Sequence, residues 1–232
     1  CFEVHSDVSH ANKEVCLAIL NEMLQHLHDQ LATATHIILT YGTSWVYRHK
    51  ASQLVVANCH KVPQVQFDKE ILSIDTIAKS IQNTIATIRK VNPNGLVLFT
   101  VSPVRHSKDG FVENQRSKAH LISAIHQILN LESQALKYFP SYEIMMDELR
   151  DYRFYAEDML HPSKIAIDYI WERFTETWIS ESVYAVMEEV NSIQKGLLHK
   201  PFHPDSESHK HFSKKLRDKM ERLQQQFPHI QF

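Results

Sequence analysis

Glycine is scarce in this chain: Gly42, Gly95, Gly110 and Gly196 are the four in 232 residues. Their spacing leaves no G-x-S-x-G nucleophile elbow, no G-x-G-x-x-G dinucleotide loop and no Walker A loop. Cysteine is scarcer still. Cys1, Cys16 and Cys59 are odd in number and widely spaced, so neither a disulfide framework nor a C-x-x-C pair is available, and a reducing, cytoplasmic setting is the expectation. H-E-x-x-H is absent, and neither a metal nor an organic cofactor is expected. No apolar run approaches the roughly 20 residues that span a bilayer, so no transmembrane segment is expected. An excess of one charge sign is also missing. The formal net charge of −2 gives no reason to expect nucleic acid or an anionic membrane as partner.

What the chain does contain is a folding pattern. A hydrophobic fraction of 43% with 9% aromatic residues reads as a globular chain able to bury one core. Val15, Ala18, Ile19, Met23 and Leu27 recur at helical spacing, predicting an amphipathic helix over about 11–31. The runs 36–41 and 96–101 read as buried parallel strands, with a shorter apolar run at 54–57. Between them Ser73 caps a predicted helix with Ile74, Ile77, Ile81, Ile85 and Ile88 on one face, stopped by Asn92-Pro93-Asn94-Gly95. A further helix is expected from Ser117 to about Leu131, a strand from Tyr142 to Met146, and a helix from Ser163 to Trp178. Alternating strands and helices imply right-handed crossovers and an α/β, mostly parallel sheet covered on both faces. Beyond about 180 the pattern becomes a charged helical extension. It comprises a helix over 182–195 with Gly196 as cap, a linker through Pro201 and Pro204, and a last helix carrying Phe212, Leu216, Met220 and Leu223 inward. The expected division is therefore 1–180 and 181–232.

Ligands in such sheets bind beyond the carboxyl ends of the strands, and three polar segments converge on that rim: 42–44, 102–106 and 158–161. In the last, Asp158 and His161 stand three residues apart. A carboxylate so placed accepts the Nδ1 proton of the imidazole, fixes its tautomer and leaves Nε2 to deprotonate a serine hydroxyl. Taken alone, D-x-x-H is equally a turn cap beside a surface histidine. Arg105 and His106 either bind an anionic or sugar-bearing substrate or pin their loop. Asn58 and His60 form a site pair, or Asn58 satisfies irregular backbone. Cys59 reads as a small buried hydrophobe, and nothing around Ser102 resembles an activating turn. His199 and His203 have the spacing of a helical metal pair, but Pro201 and Pro204 favour a solvated linker. Lys214, Lys215 and Arg217 are interleaved with acids and read as a helix face.

Five blocks in order resemble a known family: Gly42-Thr43-Ser44-Trp45-Val46-Tyr47-Arg48, Val55-Val56-Ala57-Asn58-Cys59-His60-Lys61, Thr100-Val101-Ser102-Pro103-Val104-Arg105-His106, Glu113-Asn114-Gln115, and 151–163 around Asp158 and His161. Together they look like the GSCFA family, which resembles the wider SGNH, or GDSL-like, hydrolases. The resemblance implies a three-layer α/β/α sandwich and a serine site that acts on esters as esterase or acyl transferase, on a small-molecule or carbohydrate ester. It casts Asp158 as orienting acid and His161 as general base. Gly42 and Ser44 fall where related hydrolases carry the G-x-N-D block of the oxyanion hole. A hydroxyl donates only one hydrogen bond where Asn would donate two, so Asn58 is the second candidate donor. The family's Gly-Ser-Cys-Phe-Ala segment, whose serine aligns with the nucleophile, is not found here, and Phe2-Glu3-Val4-His5-Ser6 resembles a later His-Ser segment. The expectation is a chain that begins after the first strand and is nearly inert by itself. The alternative is a non-catalytic binding module on the same fold.

Overall fold

The computed structural model describes residues 1–131, 135–203 and 206–232; Pro204, in the linker read from the sequence, lies outside them. Asn12 opens the first long helix, α1 (Lys13–Thr33), its Oδ1 accepting the N–H groups of Glu14 at 2.8 Å and Val15 at 3.2 Å. The helix forms as its periodicity predicts, but Val15, Met23 and Leu27 stay exposed. Only its end joins the core, through Leu31 and the following Ala34.

Strand β1 (His36–Tyr41) then pairs in parallel with β5 (Leu96–Val101), from His36 opposite Leu96 to Tyr41 opposite Val101, and β5 pairs in parallel with β6 (Leu136–Phe139). The sheet order is β1-β5-β6. Between β1 and β5 lies a second, antiparallel sheet, ordered β3-β2-β4, of β2 (Trp45–His49), β3 (Val55–Val56) and β4 (Phe67–Ile71). Arg48 on β2 ties it to β4, donating from Nε at 3.0 Å and Nη2 at 2.5 Å to Glu70 Oε1. The N-terminal residues dock on this sheet. Phe2 O accepts from Ala57 N, and the Phe2 ring meets Phe67 edge-on at 5.7 Å.

Side chains alternate across a strand, and β5 uses both faces. Val97, Phe99 and Val101 point into the main core with Ile77, Ile81, Ile85 and Ile88 of α2 (Ile74–Val91) and Leu121, Ala124, Ile125 and Ile128 of α3 (Phe111–Leu131). On the other face Leu98 is also buried, and Thr100 Oγ1 lies 2.6 Å from Ser141 Oγ. Ser141 begins a single helical turn, α4 (Ser141–Glu143), that runs into a π-turn over Ile144–Glu148. This is the mixed α/β architecture of a three-layer α/β/α fold. β1 is an edge strand, and its Ile38 is exposed.

Three elements differ from the sequence reading. The strand expected over Tyr142–Met146 is helical, and the third parallel strand lies earlier, at Leu136–Phe139, ended by Pro140. Helix α3 starts at Phe111, one and a half turns before Ser117. β2 ends in Arg48-His49 and β4 carries Asp68-Lys69-Glu70 between its apolar ends, so neither shows the long apolar run or the strict alternation of a strand. Cys59 is half-exposed, not buried.

Ser73 caps α2 as its type predicts, accepting from Thr76 N at 3.2 Å. Ser73→Ala is expected to lower unfolding free energy by about 1 kcal/mol, measured by urea denaturation with an unchanged m-value. At the other end Asn92 takes the place of a terminal glycine. Its amide donates to Leu31 O and Ala34 O and its Oδ1 accepts from Asn94 N and Gly95 N, so one side chain closes the turn into β5.

The chain divides into two compact units, Cys1–Ile170 and Trp171–Phe232, a division that falls inside α5 (Lys164–Trp178), ahead of position 180. The second unit holds α6 (Tyr184–Leu198) and α7 (Glu207–Gln226), with Ser206 accepting from His209 N at the start of α7. Gly196 is not a cap but lies within α6. A Cβ there would sit 2.7 Å from Leu216 Cδ1, so glycine is what lets α7 approach. Ile193 and Leu223 are buried between the two, while Phe212 remains exposed. Among the described residues no helix is long and apolar enough to cross a membrane.

Candidate active site

Where β1 and β5 end, both chains leave the sheet on the same side, and a buried cation joins them. Lys118 of α3 is 1% exposed, and its Nζ donates to Gly42 O and to Ser102 O, each at 2.6 Å. Burial lowers its pKa from 10.5 to about 8. Beside it Ser117 Oγ accepts from Ser44 N at 2.7 Å and lies 2.9 Å from Thr43 Oγ1. The N-terminal half of α3 thus fixes the Gly42-Thr43-Ser44 turn. Gly42 packs closely here: a Cβ would lie 3.3 Å from His106 Nε2, so the imidazole would have to shift by a few tenths of an ångström.

The Asp158 loop is closed by its own chain. Asp158 Oδ1 accepts Leu160 N at 2.9 Å and His161 N at 3.0 Å, and Asp158 Oδ2 lies 2.5 Å from His161 Nδ1. Met159, between them, has φ of 59°, in the left-handed region that L residues seldom occupy. Ala156 N donates to His161 O, and Tyr155 and Pro162 bridge in antiparallel fashion across the base of the loop. Arg105 N donates to Leu160 O at 3.0 Å, so the β5 exit and the histidine loop are joined directly.

These contacts set the charge states. The backbone N–H of His161, then its ring, then the Leu160 N–H hold the Asp158 carboxyl down at about 2, from 3.8. Donors that stabilise the charged form lower a carboxylate's pKa. The stability that this loop gains is therefore fully present above pH 3.8 and is lost as pH falls toward 2. Carboxyl-carbon NMR should place the Asp158 midpoint near 2; a midpoint near 3.8 would mean that the turn is not formed in solution. His106 is shifted down, first by burial, then by Lys118 and His161.

The structure brings His161, His106 and Arg105 to one cavity of about 370 Å3, together with Thr43, Trp45 and Lys69. Gly42 lies against His106 at its edge. Ser44 and Asn58 are not among its lining residues. Ser44 is 1% exposed and its hydroxyl is turned to Ser117 O and Oγ. Asn58 Oδ1 accepts His60 N at 2.8 Å, closing a turn in which His60 and Lys61 both have positive φ. Thr43, Trp45, Lys69 and Lys118 were not singled out from sequence. For Thr43 and Trp45 the signal was their place beside Gly42 in the first of the five blocks; neither Lys69 on β4 nor Lys118 on α3 carries one.

Two family models match the chain: that of the GSCFA family over residues 1–174, and that of the GSCFA domain protein C-terminal domain over residues 190–232. The chain belongs to the GSCFA family. None of the curated proteins matches it. In this GSCFA chain the first matched segment ends within α5 and the second begins within α6, and the first contains every residue named above around the cavity. Among the described residues no group of three or more His, Cys, Asp or Glu side chains is placed to hold a metal ion.

Proposed function

We propose that this GSCFA protein is a serine hydrolase of the SGNH type, cleaving or transferring the acyl group of a small-molecule or carbohydrate ester, with Asp158 and His161 as its acid–base pair. One observation carries the reading: Asp158 Oδ2 lies 2.5 Å from Nδ1, while Nε2 has no protein hydrogen bond among the described residues and the ring lines a cavity of about 370 Å3. That volume suits a small ligand. With Nδ1–H held by the carboxylate, Nε2 carries the lone pair and is the base.

The nucleophile in this reading is a serine hydroxyl carried on a strand beside β1. β1 is the edge of a parallel sheet, and a further parallel strand added there would bring its carboxyl end to the rim at Gly42. The hydroxyl would transfer its proton to Nε2 as its oxygen bonds to the ester carbonyl carbon. The imidazolium, stabilised by Asp158, would return that proton to the departing alcohol, leaving an acyl-serine. A water molecule or an acceptor alcohol, deprotonated at the same Nε2, then takes the acyl group and restores the serine. In this reading the Gly42–Thr43 turn, at the edge of the cavity that His161 lines, is the candidate donor to the carbonyl oxygen as it develops charge.

The test is fluorophosphonate labelling of the full-length protein with and without His161→Ala. Labelling that depends on His161 supports the assignment. Equal labelling of both, or none of either, would reject it and leave a binding module on the same fold.

A further inference from the structure

Arg105 is built into the cavity wall in an unusual state. Its guanidinium stacks on the buried Tyr155 ring, Cζ lying 3.8 Å from the centroid, with Tyr152 and Phe111 at 5.8 and 6.0 Å. Yet among the described residues no carboxylate forms an ion pair with it, and none of its side-chain N–H groups donates to a protein acceptor. A guanidinium held in position by aromatic faces keeps its planar fork of donors for something else. That fork borders two cavities: the one that holds His161, and a neighbouring one of about 200 Å3 lined by Met145, Met146 and Leu149 together with Arg150 and Asp151.

The surrounding charges limit what the fork can take. Lys69 is paired with Asp109 and His106 is biased toward its neutral form, which leaves Arg105, with the exposed Lys108, as the positive charge of the cavity. We infer that the substrate of this site carries a carboxylate, bound two-pronged by Arg105 while the ester lies at His161. This deepens the hydrolase reading and rests on it for the ester, but not for the anion. The planar fork of Arg105 matches the two coplanar oxygens of a carboxylate.

Two measurements separate the parts. In the first, the wild-type full-length protein is titrated with succinate and with inorganic phosphate while the side-chain Nε resonance of Arg105 is followed by NMR. Saturable movement with succinate, weaker with phosphate, is expected. No movement, or tighter binding of phosphate, overturns the carboxylate assignment. In the second, kcat/KM is compared for 4-nitrophenyl acetate and the mono-4-nitrophenyl ester of succinate. The acidic ester should be preferred by about tenfold or more, through KM, as expected for one charge-assisted contact. Arg105→Gln should bring that ratio close to one, and Arg105→Lys should restore part of it. An equal fall in kcat for both esters would make Arg105 a stabiliser of the reacting oxygen and sink the inference. Succinate binding without hydrolysis of either ester would sink the hydrolase reading and sustain the anion site.

Discussion

Replacing His161 with alanine is expected to lower kcat for ester cleavage by the full-length protein by about 10⁴-fold or more, with KM changed little. In free energy this is roughly 5 kcal/mol of barrier. The size follows from the absence of a substitute: the ring that lines the cavity on this loop is His161, and His106, pushed toward neutrality by burial, Lys118 and His161 itself, is paired with no carboxylate among the described residues that could hold an imidazolium. Asp158→Asn should cost less. An Asn Oδ1 can still accept Leu160 N and His161 N, so the turn survives, but the ring loses its anion. The pair is half open to water, with side-chain exposures of 60% for His161 and 45% for Asp158, so solvent takes over part of the carboxylate's work. A loss of about 10²-fold is expected, below the ~10⁴ known for a buried triad aspartate. Steady-state kinetics on the two variants give the order. If Asp158→Asn proved as damaging as His161→Ala, the carboxylate would have a role beyond orienting the ring.

The second large effect is on stability. Lys118→Met keeps the length and apolar character of the stem but removes the donor that serves Gly42 O and Ser102 O. Each unsatisfied carbonyl costs about 1–3 kcal/mol. Against this stands the burden of keeping an ammonium out of water. Its pKa falls from 10.5 to about 8, equivalent to roughly 3 kcal/mol between the two charge states. At neutral pH, below 8, the group keeps its proton and this burden offsets part of the loss; above 8 it sheds the burden by giving up a proton, while a neutral amine still donates to both oxygens. A net loss of about 2 kcal/mol at a pH of about 9.5 is expected, read as a shift of the urea midpoint, with a smaller loss at neutral pH. The pH dependence gives a second readout. The unfolded chain holds the Lys118 proton up to 10.5 and the folded chain only to about 8, so folding releases it in that interval. Wild-type stability from this group therefore rises as pH goes from about 8 to 10.5, and is lost as pH falls back through 8. In Lys118→Met the rise is absent. Comparing the two proteins cancels the opposing trend from Tyr41, Tyr138 and Tyr142, whose hydroxyl pKa values are all raised, chiefly by burial.

Elements whose stability comes from their own residues were legible in the sequence. Helix α2 shows one isoleucine face between Ser73 and Asn92, and β5 is an unbroken apolar run that is buried on both faces; both lie where the pattern predicts. The Asp158–His161 pair was legible for the same reason, since three residues suffice to form it. What was hidden depends on partners far along the chain. β2 and β4 exist because they pair with each other across the 45–71 segment, and the residues Phe67-Asp68-Lys69-Glu70-Ile71 carry a charge density that suggests a loop. The run at Tyr142–Met146 has strand-like composition, but Pro140 and the Ser141 contact to Val101 O at 2.7 Å turn it into a helical cover over β5. Lys118 is the clearest case. A lysine within a helix usually lies on a solvated face, and only the meeting of α3 with two strand ends makes this one a buried strut. Ser44 illustrates the converse: its place after Gly42 suggested a donor to the cavity, and Ser117, 73 positions away, takes its hydrogen bonds.

Because Asp158 and His161 are near neighbours in the chain, ordering them against each other takes the closure of one very short loop, whose entropy is small beside that of joining remote segments. The pair can hold its mutual geometry while the surrounding scaffold breathes. All the precision demanded of the tertiary structure then concentrates in a single distance, from Nε2 to an incoming oxygen.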